Sequence, residues 1–182
     1  MKVTRKLIIV FLLLSAVAFA RRRDPLTDAE TDQLREARME PAKRLKLYGK
    51  FAEARLDAIN ESLNNPQKAR ERPATIHDLL EDFGSIVDEI NDNLDMYQEN
   101  NRLDDDQRKQ YRKGLKELVV DEGKLRARLR SLQHDVENDP KLKAESQAYV
   151  FALQDADAAL KSSLETAKQY LTEKEEEKPK KK

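Results

Sequence analysis

The stretch TIHDLLEDFGSIVDEINDNLDMYQE, residues 75–99, decides the fold. Its apolar members Ile76, Leu79, Leu80, Phe83, Val87, Ile90, Leu94 and Tyr97 follow at steps of mostly three or four, the period of one helical face and not the alternation of a strand. The same spacing recurs on either side. After Pro41 it is carried by Leu45, Tyr48, Ala52, Leu56, Ile59 and Leu63, and downstream by Tyr111, Leu115, Leu118, Glu122, Leu125, Leu129, Leu132 and Val136, with Glu122 as the one polar member. A last helix is read from Pro140 through Leu142, Tyr149, Leu153, Ala156, Leu160, Leu164, Ala167 and Leu171.

Local signals mark the ends of these runs. Thr27-Asp28-Ala29-Glu30 is a capping box for a short first helix to about Met39, and Thr75 reads as the cap of the third helix. Asp104-Asp105-Asp106 place negative charge at the positive end of the fourth helix dipole, after a turn at Asn100-Asn101. Pro25, Pro41, Pro66, Pro73 and Pro140 fall in the gaps, because proline is tolerated at a helix start and not inside. Glu122-Gly123 reads as a kink. The expectation is an all-α protein: an elongated antiparallel up-down helical bundle over residues 21–172, preceded by a signal peptide. Residues 173–182, EKEEEKPKKK, read as a disordered charged tail.

Charge is sorted by helix. Residues 75–99 hold eight acids and no Lys or Arg, whereas 107–130 hold nine bases against three acids. The plainest reading is that these two helices form a hairpin and pair across its seam. A sharper one makes Asp88, Asp92 and Asp95 a cation site, since their spacing shares a helical side and hard cations take carboxylate oxygens.

Composition narrows the chemistry. The 182 residues include no Cys, two His and four Gly. Disulfide scaffolds, thiolate metal sites and thiol nucleophiles are therefore excluded, and no Gly-rich phosphate loop is present. Neither histidine belongs to H-E-x-x-H or Glu-x-x-His, and Ser85 lacks the G-x-S-x-G elbow. The expectation is a protein that is not an enzyme, takes no cofactor, does not bind nucleic acid, and works on a protein partner or by self-association.

The N-terminus reads as an export signal. Lys2, Arg5 and Lys6 precede the uncharged apolar run 7–17, and Ala18-Phe19-Ala20 forms an A-x-A cleavage site. That run is shorter than a bilayer-spanning helix, so no stable membrane insertion is expected after cleavage. Arg21-Arg22-Arg23 directly after the cut oppose translocation. The expected location is periplasmic or secreted.

Two stretches carry a resemblance. Asp24-Pro25-Leu26-Thr27 through Glu40-Pro41-Ala42-Lys43-Arg44-Leu45-Lys46-Leu47-Tyr48 to Ala54-Arg55-Leu56, and Ile76-His77-Asp78-Leu79-Leu80-Glu81-Asp82-Phe83 through Asp88-Glu89-Ile90-Asn91-Asp92-Asn93-Leu94-Asp95-Met96-Tyr97, resemble a family of exported bacterial all-helical proteins without an assigned activity. The resemblance implies an exported helical protein of the envelope, acting as a binding, adaptor or structural component, and supplies no site residues. Leu26-Thr27-Asp28-Ala29-Glu30 and Leu103-Asp104-Asp105-Asp106-Gln107 are also similar to the L-T-x-x-Q motif of periplasmic stress chaperones and metal-resistance proteins, each departing by one residue. That likeness implies a chaperone-like or stress/metal-response alternative.

N-terminal sequencing of protein recovered from expressing cells should find Arg21 as the first residue; intact Met1 in a membrane fraction would contradict the leader.

Overall fold

The computed structural model describes residues 24–99 and 103–176, so the leader, Arg21 to Arg23, the Asn100-Asn101 turn and the last six residues lie outside the described residues. Within them the protein is all-helical, with no strand. The six α-helices are α1 (Asp28–Glu36), α2 (Pro41–Asn64), α3 (Arg72–Glu99), α4 (Asp105–Asn138), α5 (Pro140–Glu145) and α6 (Val150–Glu176). Short 3-10 turns occupy Pro66–Lys68 and Ser146–Ala148.

Side-chain caps fix the starts of α1 and α4. Thr27 Oγ1 accepts from the Glu30 amide at 3.2 Å while the Glu30 carboxylate accepts from the Thr27 amide at 2.8 Å. Asp104 and Gln107 repeat the same reciprocal pair ahead of α4. Elsewhere the structure departs from the sequence reading. α3 begins at Arg72, ahead of the expected cap at Thr75, because Pro73 in the first turn lacks only an amide that would have had no intrahelical partner. Thr75 is then interior, and its hydroxyl donates to the Glu71 carbonyl at 3.1 Å. α4 continues through Gly123, where a kink was expected from Glu122-Gly123. The single last helix divides into α5, a 3-10 turn and α6. Ser146 Oγ donates to the Lys143 carbonyl at 2.9 Å and offers the chain a local alternative to the helix ladder. Tyr149 leaves helical geometry at φ −135°, and its side chain turns into the core. α6 then runs to Glu176, past the boundary expected at 172.

Four long helices share one core. α2 packs along α3 and α4, and α6 packs along the same two. α3 and α4, although consecutive, are not lateral neighbours: they face each other across the core, where the Tyr97 and Tyr111 rings approach to 5.5 Å between centroids. Arg44 and Arg55 of α2 reach Asn93 and Asp82 of α3, so these helices run in opposite directions. Lys46 and Glu53 of α2 reach Glu117 and Arg128 of α4, so that pair runs the same way. In the same manner Arg112 and Arg126 of α4 reach the Leu171 carbonyl and Asp157 of α6, which opposes them.

The seams read from sequence are the core. Ile76, Phe83, Val87, Ile90 and Leu94 of α3 are fully buried, and Ile86 joins them. Leu45, Ala52 and Ile59 of α2, Leu115 and Leu129 of α4, and Leu160 and Ala167 of α6 close on them. Where α4 crosses the start of α2, Gly114 leaves no room: a Cβ there would lie 2.8 Å from Ala42 Cβ and 2.9 Å from its Cα. Gly123 on the same helix faces open space.

Phe83→Ala should lower stability by about 3 to 5 kcal/mol in denaturant unfolding, through lost burial and the cavity left behind. The two glycines separate steric demand from helix propensity. Gly123→Ala should stabilise by about 0.5 to 1 kcal/mol, while Gly114→Ala should destabilise by about 1 to 3 kcal/mol, because overpacking against Ala42 outweighs the propensity gain.

Candidate functional site

A groove of about 640 Å³ opens between α3 and α6. Helical spacing puts His77, Asp78, Glu81, Asp82, Ser85 and Asp88 along one side of α3. Phe151, Asp155 and the small residues Ala152, Ala156 and Ala159 form the α6 side. Small side chains on α6, with Gly84 and Ser85 opposite, leave the space that larger residues would fill. Five carboxylates and one imidazole line the groove, with no Lys or Arg among them. Phe151 stands at its rim, 74% exposed. The ring is there because the break after α5 sets the phase of α6 so that Tyr149 and Leu153 face inward and Phe151 outward.

His77 Nδ1 lies 3.7 Å from Asp78 Oδ1 and 3.8 Å from Glu81 Oε2. These three are the group of possible ligands that converges within 4.8 Å among the described residues, and all are open to solvent. The alternative trio Asp88, Asp92 and Asp95 is not a converging group of this kind. Asp88 lines the groove, Asp92 is exposed, and Asp95 accepts a 2.6 Å hydrogen bond from Tyr170 of α6. Sharing a helical side is not enough, because seven residues along a helix span about 10 Å.

The hairpin reading of the sorted charges is also corrected. With α3 and α4 opposed across the core, their charges meet α2 and α6 instead. Arg128 of α4 pairs with Asp57 of α2 at 2.6 Å, Arg126 with Asp157 of α6 at 3.1 Å, and the Tyr48 hydroxyl of α2 donates to Glu89 of α3 at 3.4 Å.

Behind the groove wall, Arg55 of α2 connects three segments. It donates to both Glu30 oxygens at 2.6 and 2.7 Å and to the Pro25 carbonyl at 2.6 Å, and its Nε lies 3.9 Å from Asp82. Burial alone would raise the Glu30 pKa, but the hydrogen bonds and charge of Arg55, with the Thr27 amide, outweigh it and hold the carboxyl below its ordinary value. At the bundle end Arg72 donates to the Ser62 and Asn65 carbonyls and to Glu145. This satisfies carbonyls that the end of α2 leaves open.

Sequence reading missed both Phe151 and Arg55. Phe151 lies off the apolar stripe of its helix, which was itself a signal, whereas nothing in sequence distinguishes Arg55 from the other bases.

Arg55→Ala should cost about 3 kcal/mol at neutral pH, since it leaves Glu30 nearly buried without its partner. Glu30 has a depressed folded pKa, so its contribution is present above its unfolded value of 4.5 and lost as pH falls through the folded one. Urea unfolding of both proteins should therefore show the difference shrinking as the pH is taken below 4.5.

No protein-family model matches the sequence, and comparison with curated proteins and with solved structures finds no match.

Proposed function

We propose that this chain is an exported, non-enzymatic binding protein of the bacterial envelope, an elongated antiparallel up-down bundle released from its leader at Arg21. Its α3–α6 groove takes a Lys/Arg-rich segment of a protein partner that also carries an apolar side chain. The observation that carries this reading is one exposed aromatic, Phe151, set beside Asp78, Glu81, Asp88 and Asp155 in a single concave surface. An apolar anchor within a rim of one charge sign suits an amphipathic ligand of the other sign, whose charges speed encounter and fix its register. Asp78, Glu81 and Asp155 share one exposed environment.

The chaperone-like alternative calls for a broad apolar face. The large apolar side chains exposed among the described residues are Met39, Met96, Val120 and Phe151, each on a different segment. Scattered apolar residues of this kind are ordinary surface.

Fluorescence anisotropy with a labelled amphipathic Lys/Leu peptide tests the proposal against a Glu/Leu peptide of the same length. The basic peptide should bind and weaken with added salt, and the acidic one should not bind. Asp78→Asn, Glu81→Gln and Asp155→Asn combined should weaken binding about tenfold, at under about 1 kcal/mol per charge, without lowering the melting temperature. Phe151→Ala should weaken it further. Equal binding of both peptides, or binding indifferent to all four changes, would remove the groove from the reading.

A further inference from the structure

Glu122 is the polar member of the α4 seam, and it is completely buried. Ser163 Oγ on α6, also completely buried, donates to Glu122 Oε1 at 2.5 Å. Oε2 has no hydrogen-bond partner. On the same inward faces lie Leu118 and Leu125 of α4 and Leu160 and Ala167 of α6, all buried. An ionised carboxylate with one oxygen unbonded in such surroundings is the unfavourable case of a buried charge. The neutral acid suits the site, because its hydroxyl can donate to Ser163 Oγ over the same contact and the remaining oxygen carries no net charge.

The neighbouring charges do little to offset this. Lys168 of α6 acts on Glu122 from the exposed surface. At about the same level, Lys50 and Glu53 of α2, Asp88 and Glu89 of α3, and Asp121 and Lys124 of α4 are all exposed on the outside of the bundle. Lys141, Lys143 and Glu145 of α5 sit beyond the far end of α4. Burial therefore dominates, and the Ser163 bond and Lys168 pull the other way only in part. Glu122 is pushed up to about 7.

We propose that Glu122 and Ser163 form a proton-linked latch on the α4–α6 seam, closed while the carboxyl holds its proton and loosened when it ionises. The latch is independent of the groove and of any partner. A raised folded pKa means that the folded protein holds a proton which the unfolded chain gives up above 4.5. The contribution is complete below that pH, falls as pH rises, and is gone above about 7. Across that window the unfolding equilibrium constant should rise by up to about tenfold per pH unit from this one proton.

The test compares the whole protein with Glu122→Gln and Ser163→Ala by urea unfolding from pH 5 to 8. Glu122→Gln keeps the shape and a donor for Ser163 but cannot ionise, so it should lose the slope and be the more stable protein at pH 8. Ser163→Ala should be less stable throughout and keep the slope. Amide exchange along α6, corrected for intrinsic rates, should quicken with pH in the wild type and not in Glu122→Gln. Parallel pH curves for wild type and Glu122→Gln, or a glutamine variant weaker at pH 8, would overturn the latch. Should the glutamine variant fail to fold, the side-chain carboxyl carbon of Glu122 in the wild type decides by NMR: a midpoint near 7 supports the latch and one below 5 overturns it.

Discussion

The apolar seams of four long helices can leave water only by facing one another, and the rest of the structure depends on that burial. The seams of α3 and α4 are the most regular, and they point at each other, meeting where Tyr97 approaches Tyr111. α2 and α6, whose seams are broken more often by alanine and polar residues, fill the two remaining sides. Burying a Leu, Ile or Phe side chain is worth about 1.5 to 3 kcal/mol, and exposed ion pairs are worth at most about 1 kcal/mol. Helix placement is therefore set by where the apolar residues go, and the charges settle afterwards.

That ranking accounts for the charge pattern. Helices of opposite sign would gain by lying side by side, yet α3 and α4 do not. Their charged faces are turned to α2 and α6, where Arg55, Tyr48, Asp57, Asp157 and Tyr170 meet them. The part of α3 facing α6 near Phe151 keeps its acids at the rim of an open groove, because the α6 residues opposite are mostly alanine.

Three buried ionisable groups illustrate different solutions. Arg72 is nearly buried and its hydrogen bonds are taken up by two carbonyls and Glu145, so the charge closes one end of the bundle. Arg55 does the same for α1, with Glu30 as its counter-charge. Glu122 has only Ser163, and one of its oxygens is left alone. A group that is half satisfied in an apolar core responds to pH, whereas one that is fully paired mainly fixes position.

The sequence by itself determined the all-helical class, the capping box at Thr27, the acidic start of the fourth helix at Asp104, and nearly every core residue. Those are local properties, because a 3.6-residue period and a capping side chain act within a few residues of chain. It placed Glu122 on the seam without showing that a serine forty-one residues later would meet it. Tertiary structure alone decided that α3 and α4 oppose each other across the core instead of forming a hairpin seam, and therefore which acid meets which base. It also decided that Asp88 and Asp95 part company, while His77, Asp78 and Glu81 converge. Periodicity states which face of a helix is apolar, but not which neighbour covers it; that choice depends on the joint packing of four helices, where small residues such as Gly114 and Ala42 allow close approach.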